Sequence, residues 1–177
     1  VIQTSGSENI LIATRDGMAV CFSEEDVRPT GRTAMGVRGI RLRAGDYVVG
    51  AESTSAGSHL LTITENGYGK RTEVSEYSVH GRGGIGIKNY NVTQKTGKIA
   101  AVEMVDDSDD ILVITDDATI IRMAVERISV LGRSTQGVRI MRLSEGSRVI
   151  SIEKTESDGS DDSAAEQEET AETPAEE

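Results

Sequence analysis

The sequence predicts an all-β protein, a partial propeller of three blades, each a four-stranded unit of about 50 residues. Three observations predict it. The phrase Gly-Arg-x-x-x-Gly-(Val/Ile)-(Arg/Lys) occurs at Gly31 to Arg38, Gly81 to Lys88 and Gly132 to Arg139, at intervals of 50 and 51 residues. Each period carries short β-branched runs separated by Gly-containing turns, the pattern of hairpins rather than helices. Two prolines and 3% aromatics, with no helical stripe, leave little case for an α-protein.

Taken in order, each repeat opens on an apolar run: Ile10–Thr14, Leu60–Thr64 and Ile111–Thr115. The next residues are Arg15-Asp16-Gly17, Glu65-Asn66-Gly67 and Asp116-Asp117-Ala118. Asp-Gly and Asn-Gly make tight hairpins because both residues accept positive φ, so Ala118 should strain or change the third turn. A second strand follows at Met18–Phe22, Tyr68–Thr72 and Thr119–Met123, then an acidic link with the look of one helical turn, such as Ser23 to Val27. After the Gly-Arg phrase a third strand is expected over Gly36–Leu42, Gly86–Val92 and Gly137–Leu143. Turns at Ala44-Gly45-Asp46, Lys95-Thr96-Gly97 and Glu145-Gly146-Ser147 lead into a fourth.

The expected boundaries are 9–58, 59–109 and 110–152 for the blades, with 1–8 as the end of a preceding blade, because Ile2 to Asn9 aligns with Glu52 to His59 one period later. On that alignment the chain reads as a C-terminal fragment. A three-blade arc should expose an apolar face at its N-terminal end and be poorly soluble. Residues 153–177 hold almost no large apolar side chain and are expected to form a disordered acidic tail.

Charge divides at the same point. Residues 1–152 hold 18 Lys/Arg against 19 Asp/Glu, while 153–177 hold 1 Lys against 11 Asp/Glu, so the low pI describes the tail and not the body. A binding footprint depends on how charge is distributed over one face. The single cysteine, Cys21, lies in an apolar run and excludes a disulfide framework, which points to a reducing compartment with the cytoplasm as default. No apolar stretch approaches a membrane span, and no signal-peptide pattern is present.

The glycines of the repeated phrase are expected where the chain turns or backbones approach closely. The basic residues carry the functional reading. Arg32, Arg38 and Arg41 in the first repeat correspond to Arg133, Arg139 and Arg142 in the third, and Arg82 and Lys88 occupy the first two of those positions in the second. Cations repeated on every blade form a stripe that follows a curved polyanion, binding phosphates without reading sequence. The middle repeat, with Lys70, Arg71, Arg82 and Lys88 but Asn91 in place of the third arginine, should grip more weakly.

Other features carry less. Asp106-Asp107-Ser108-Asp109-Asp110 lacks the glycine and the bidentate glutamate of a calcium loop and reads as a solvated turn. His59 and His80 lack ligand or triad partners at recognisable spacing. The tyrosines at 47, 68, 77 and 90 are expected at strand ends, half-buried with wet hydroxyls. The tail, tethered close to the basic stripe, should compete with a polyanion for it.

The three in-register copies of the phrase, in four-stranded units of about 50 residues followed by an acidic tail, resemble the C-terminal domain of the DNA gyrase A subunit. The related topoisomerase IV subunit is the nearest alternative, and a propeller-like protein-interaction scaffold the alternative of a different class. The resemblance implies a β-pinwheel whose blades exchange a strand, with double-stranded DNA wrapped at the rim by Arg32, Arg38, Arg41, Arg82, Lys88, Arg133, Arg139 and Arg142. It implies a parent type II topoisomerase that hydrolyses ATP and supports negative supercoiling, a heterotetramer whose other members are the gyrase B subunits and a second A subunit. ATP and Mg would then belong to other domains, with no cofactor on this stretch. The family's box Gln-Arg-Arg-Gly-Gly-Lys-Gly has only a partial counterpart, His80 to Gly86. The family's nucleophilic tyrosine follows an arginine, whereas Asp46, Gly67, Glu76 and Asn89 precede the tyrosines here, so no catalytic residue is expected.

Overall fold

Each apolar opening run forms a strand that pairs with the next through the expected hairpin. In the computed structural model, which describes residues 1–157, these are β1 (Asn9–Thr14) with β2 (Met18–Ser23), β4 (His59–Thr64) with β5 (Tyr68–Glu73), and β8 (Asp109–Thr115) with β9 (Ile120–Ala124). The hairpin glycines take left-handed φ values of 88° at Gly17 and 74° at Gly67. Ala118 keeps the same conformation at 64°, so the third turn is strained rather than changed. The acidic links are single 3-10 turns, Glu24–Asp26, Val74–Glu76 and Val125–Arg127.

The expected third strand is cut down to two residues, β6 (Ile87–Lys88) and β10 (Val138–Arg139), and the first repeat forms none. These strands pair with the preceding repeat: β6 on β2, Ala19 opposite Ile87, and β10 on β5, Gly69 opposite Val138. They are short because the segment then crosses the hairpin tip. The amides of Asn89 and Tyr90 both donate to the Gly17 carbonyl at 2.8 and 3.2 Å, and those of Ile140 and Met141 to Gly67 at 3.0 and 3.3 Å.

The fourth strands, β3 (Val48–Ser53), β7 (Ile99–Val105) and β11 (Val149–Glu156), complete antiparallel sheets ordered β3-β1-β2-β6, β10-β5-β4-β7 and β11-β8-β9. Two blades thus borrow their outer strand, and the third has three strands among the described residues. β7 packs between β3 and β11, so these strands form the inner edge. Gly50 permits this approach, since a Cβ there would stand 2.5 Å from the Val102 side chain. One core lies between the first two sheets, around Leu11, Leu60, Ile99 and Met104; a second lies between the last two, around Leu61, Ile63, Ile111 and Val113.

Three expectations are corrected. The apolar face of the first sheet is not laid bare: Val20, Phe22 and Ile40 are buried, the half-buried Ile10 and Ile12 pack beside them, and Gly39 lies close against Ile12. Residues 1–8 form no strand; the amides of Gly6 and Glu8 donate to Glu24 at 2.8 and 2.6 Å. Glu153 to Glu156, assigned to the tail, continue β11 against β8. The remainder of the expected acidic tail, 158–177, lies outside the described residues.

Candidate nucleic-acid interface

Strand order places β6 and β10 on the edge of their sheets opposite the inner strands. Lys88 and Arg139 sit on these outer strands and are exposed, and Arg38, at the equivalent position of the first repeat, is exposed as well. Arg41 and Arg142, three residues further on, are also exposed. With Arg32, six of the eight expected contact residues are exposed, and these five stand at corresponding points of successive repeats.

The repeated Gly-Arg arginine has a second task. Arg82 donates to the Arg38 carbonyl at 3.2 Å and the Asp26 carbonyl at 3.0 Å; Arg133 donates to the Lys88 carbonyl at 2.9 Å, while its own amide is held by Glu76 at 3.0 Å. Each ties its repeat to the backbone of the exposed cation in the repeat before. Arg32, the first copy, is exposed.

Lys70 and Arg71, counted among the middle-repeat cations, are removed from that surface. Lys70 is fully buried, its ammonium donating to the carbonyls of Gly132 at 2.6 Å and Arg133 at 2.7 Å and lying 5.3 Å from the Tyr90 ring centre. Burial lowers its pKa to about 8. Arg71 pairs with Asp107 and donates to the Ile128 carbonyl at 2.7 Å. Alignment of the repeats was the available signal: Lys70 and Arg71 fall on Val20 and Cys21 of an apolar run.

Lys95 was missed as a cation because it lies in an expected turn. Its ammonium is 5.5 Å from the centre of the Tyr68 ring, and the Arg139 guanidinium is 5.4 Å from the same centre and donates to the Tyr68 hydroxyl at 2.9 Å. Lys95 thus adds positive charge where the second and third repeats meet. The tyrosines also depart from expectation: Tyr68, Tyr77 and Tyr90 are buried, and only Tyr47 is exposed. Tyr77 donates to Asn89 and Tyr90 to the Gln136 carbonyl, and burial raises both phenol pKa values.

The inner strands carry Glu52, Glu103, Glu153 and Glu156. Glu103 on β7 is pushed up to about 7 by burial and by Glu52 on β3, whose own pKa burial also raises. The aspartates of residues 106–110 are used locally: Asp106 accepts from the Ser58 amide at 2.9 Å, Asp107 pairs with Arg71, and Asp110 pairs with Arg122 at 2.9 Å. Among the described residues there is no group of three or more His, Cys, Asp or Glu suited to a metal, and no helix is long and apolar enough to cross a membrane.

Comparison with known proteins agrees with the repeat geometry. The model of the DNA gyrase C-terminal domain, beta-propeller, matches residues 8–55, 58–106 and 109–156. The DNA gyrase A subunit of Staphylococcus epidermidis (strain ATCC 12228) is 47% identical over 153 residues, covering 85% of this chain and 17% of that protein. A solved DNA gyrase A C-terminal domain superposes with a TM-score of 0.78 at 30% identity, covering 84% of this chain and 50% of the other. The C-terminal domain of DNA topoisomerase IV gives a TM-score of 0.80 at 28% identity, covering 86% and 48%. The chain therefore spans about one sixth of the length of the full gyrase protein it matches.

Proposed function

This chain belongs to the DNA gyrase C-terminal domain family, and from that premise we propose that it is a module that binds double-stranded DNA without sequence preference and wraps it along the outer edges of its sheets. The observation that carries the reading is the recurrence of exposed cations, Arg38, Lys88 and Arg139, at one point of each repeat. Arg41, Arg142 and Lys95, all exposed, extend the stripe. Arg82 and Arg133 serve as clasps that fix the backbone under the stripe.

In the whole protein, wrapping by this module would present a DNA segment for strand passage by an ATP-dependent type II topoisomerase supporting negative supercoiling. Its partners there are the gyrase B subunits and a second A subunit, with ATP and Mg held on other domains. The sequence relatives at 42–47% identity are DNA gyrase A subunits, which favours gyrase as the parent.

Fluorescence anisotropy with a linear duplex over a salt series tests the reading. The wild-type chain should bind with a steep inverse salt dependence, and Arg38→Ala/Lys88→Ala/Arg139→Ala should bind more weakly, with a log-log slope shallower by about 0.9 for each phosphate contact removed. Wild-type binding absent at low salt would instead favour a protein-interaction scaffold.

A further inference from the structure

The loop between the Gly-Arg arginine and the exposed cation carries an apolar side chain at its tip. Met35 and Ile85 occupy equivalent positions, each three residues ahead of the cation, Arg38 or Lys88; the third repeat has Gln136 ahead of Arg139. Met35 is 104% exposed and Ile85 53%. A single exposed apolar residue is ordinary on a protein surface. What sets this one apart is that the position stays exposed after its loop is seated: Ile85 remains open to solvent although Gly86 is pressed against the Ala19 carbonyl and Arg82 is tied to Arg38.

The surroundings of the tip are bare. Ile85 is flanked by Gly83, Gly84 and Gly86, and a Cβ added at Gly84 would meet only the Gly86 amide, at 3.9 Å. Around Met35 the neighbours are Thr33, Ala34 and Gly36, with nothing within 4 Å of a Cβ at Gly36. A narrow apolar projection beside a phosphate-binding cation is the arrangement with which DNA-bending proteins unstack adjacent base pairs and kink the duplex.

We propose that Met35 and Ile85 are wedges that enter base steps of duplex DNA held on the outer edge and so locate its bends, while Gln136 makes the third repeat a position of contact without a wedge. This rests on the DNA-binding reading above. It divides the labour: the cations supply affinity, and the tips concentrate curvature at two steps, where deformable sequences are favoured.

The test uses the full chain and a duplex carrying a donor and an acceptor dye at its ends, with a fluorescent base analogue that brightens on unstacking. Met35→Gln/Ile85→Gln installs the residue the third repeat already carries at this exposed point. It should hold affinity within about twofold, because phosphate contacts supply it, and lose both the end-to-end approach of the dyes and the unstacking signal. Gln136→Ile should increase both. Wild-type levels of bending and unstacking in the bound double variant overturn the proposal and leave the DNA-binding reading standing; a wild-type chain that binds no duplex overturns both.

Discussion

The first and second repeats present the same sheet face built from opposite chemistry. In the first, Ile10, Ile12, Val20, Phe22 and Ile40 make an apolar cluster. In the second, Leu60, Thr62, Lys70, Thr72 and Tyr90 stand at the corresponding positions, and three of them bond the incoming segment of the third repeat: Lys70 to Gly132 and Arg133, Thr72 to Leu131 at 2.9 Å, and Tyr90 to Gln136. Backbone bonds to the exchanged segment are common to both, His80 to Cys21 and Leu131 to Arg71, each 2.8 Å. An apolar face rewards burial in many registers, whereas directed bonds from buried polar groups reward one. The shared backbone contacts therefore define the exchange, and the polar seat adds register at the second junction.

The largest effect is expected where the exchanged segment touches its seat. A Cβ at Gly137 would stand 2.6 Å from the Gly69 carbonyl, and Gly86 meets the Ala19 carbonyl more tightly still; both take positive φ, 67° and 75°. Gly137→Ala and Gly86→Ala should each cost about 2–4 kcal/mol, combining the left-handed penalty with overpacking. Gly36 has the same conformation, φ 74°, with open space around it, so Gly36→Ala should cost only about 1 kcal/mol. Urea unfolding of the three variants measures the difference; equal losses would break the comparison by showing that conformation alone governs these positions.

A smaller effect separates the polar seat from the apolar one by pH. Lys70 has a pKa of about 8 in the folded chain against 10.5 for an ordinary lysine, because the charged form is desolvated. Between those values the unfolded chain holds more protons, so stability from this group rises with pH; it is fully present above about 10.5 and lost as pH falls through 8. The neutral amine keeps two N–H groups for the two carbonyls, so the seat survives deprotonation. The urea midpoint should increase between pH 7.5 and 9.5 by an amount on the order of 1–3 kcal/mol in stability, and Lys70→Met should flatten that rise. A rise that persists in Lys70→Met assigns the titration elsewhere.

What the sequence discloses follows from how local each feature is. The hairpins β1–β2 and β4–β5 are written in β-branched runs and in Asp16-Gly17 and Asn66-Gly67, and they form where those residues predict. The third strand is misjudged in length because its partner lies in another repeat: nothing within Gly86 to Val92 says that Asn89 and Tyr90 will turn onto the Gly17 carbonyl. Likewise, a tally of cations in the middle repeat cannot separate Lys88, on the outer strand, from Lys70, which is buried beneath the next Gly-Arg phrase. Charge was legible as composition, and its address only through alignment of the repeats.

The smallest effect lies at the hairpin tips, and it separates the two covered blades from the third. At Gly17 a Cβ would stand 2.6 Å from the Tyr90 carbonyl, and at Gly67 2.9 Å from the Met141 carbonyl, because the exchanged segments cross there. Glycine is needed at both for space as well as for φ. The third sheet has no fourth strand among the described residues, and there the turn holds Ala118 at φ 64°. Relief from the crossing segment removes the steric demand and leaves only the conformational one, so Ala118→Gly should stabilise the chain by about 0.5–1 kcal/mol in urea unfolding. The reverse exchange, Gly67→Ala, should lose more than Ala118→Gly gains, since it meets the Met141 backbone in addition to the strained φ. Equal and opposite changes would mean that the crossing segment exerts no steric demand on the tip, and the contrast between covered and uncovered hairpins would fail at its most local point.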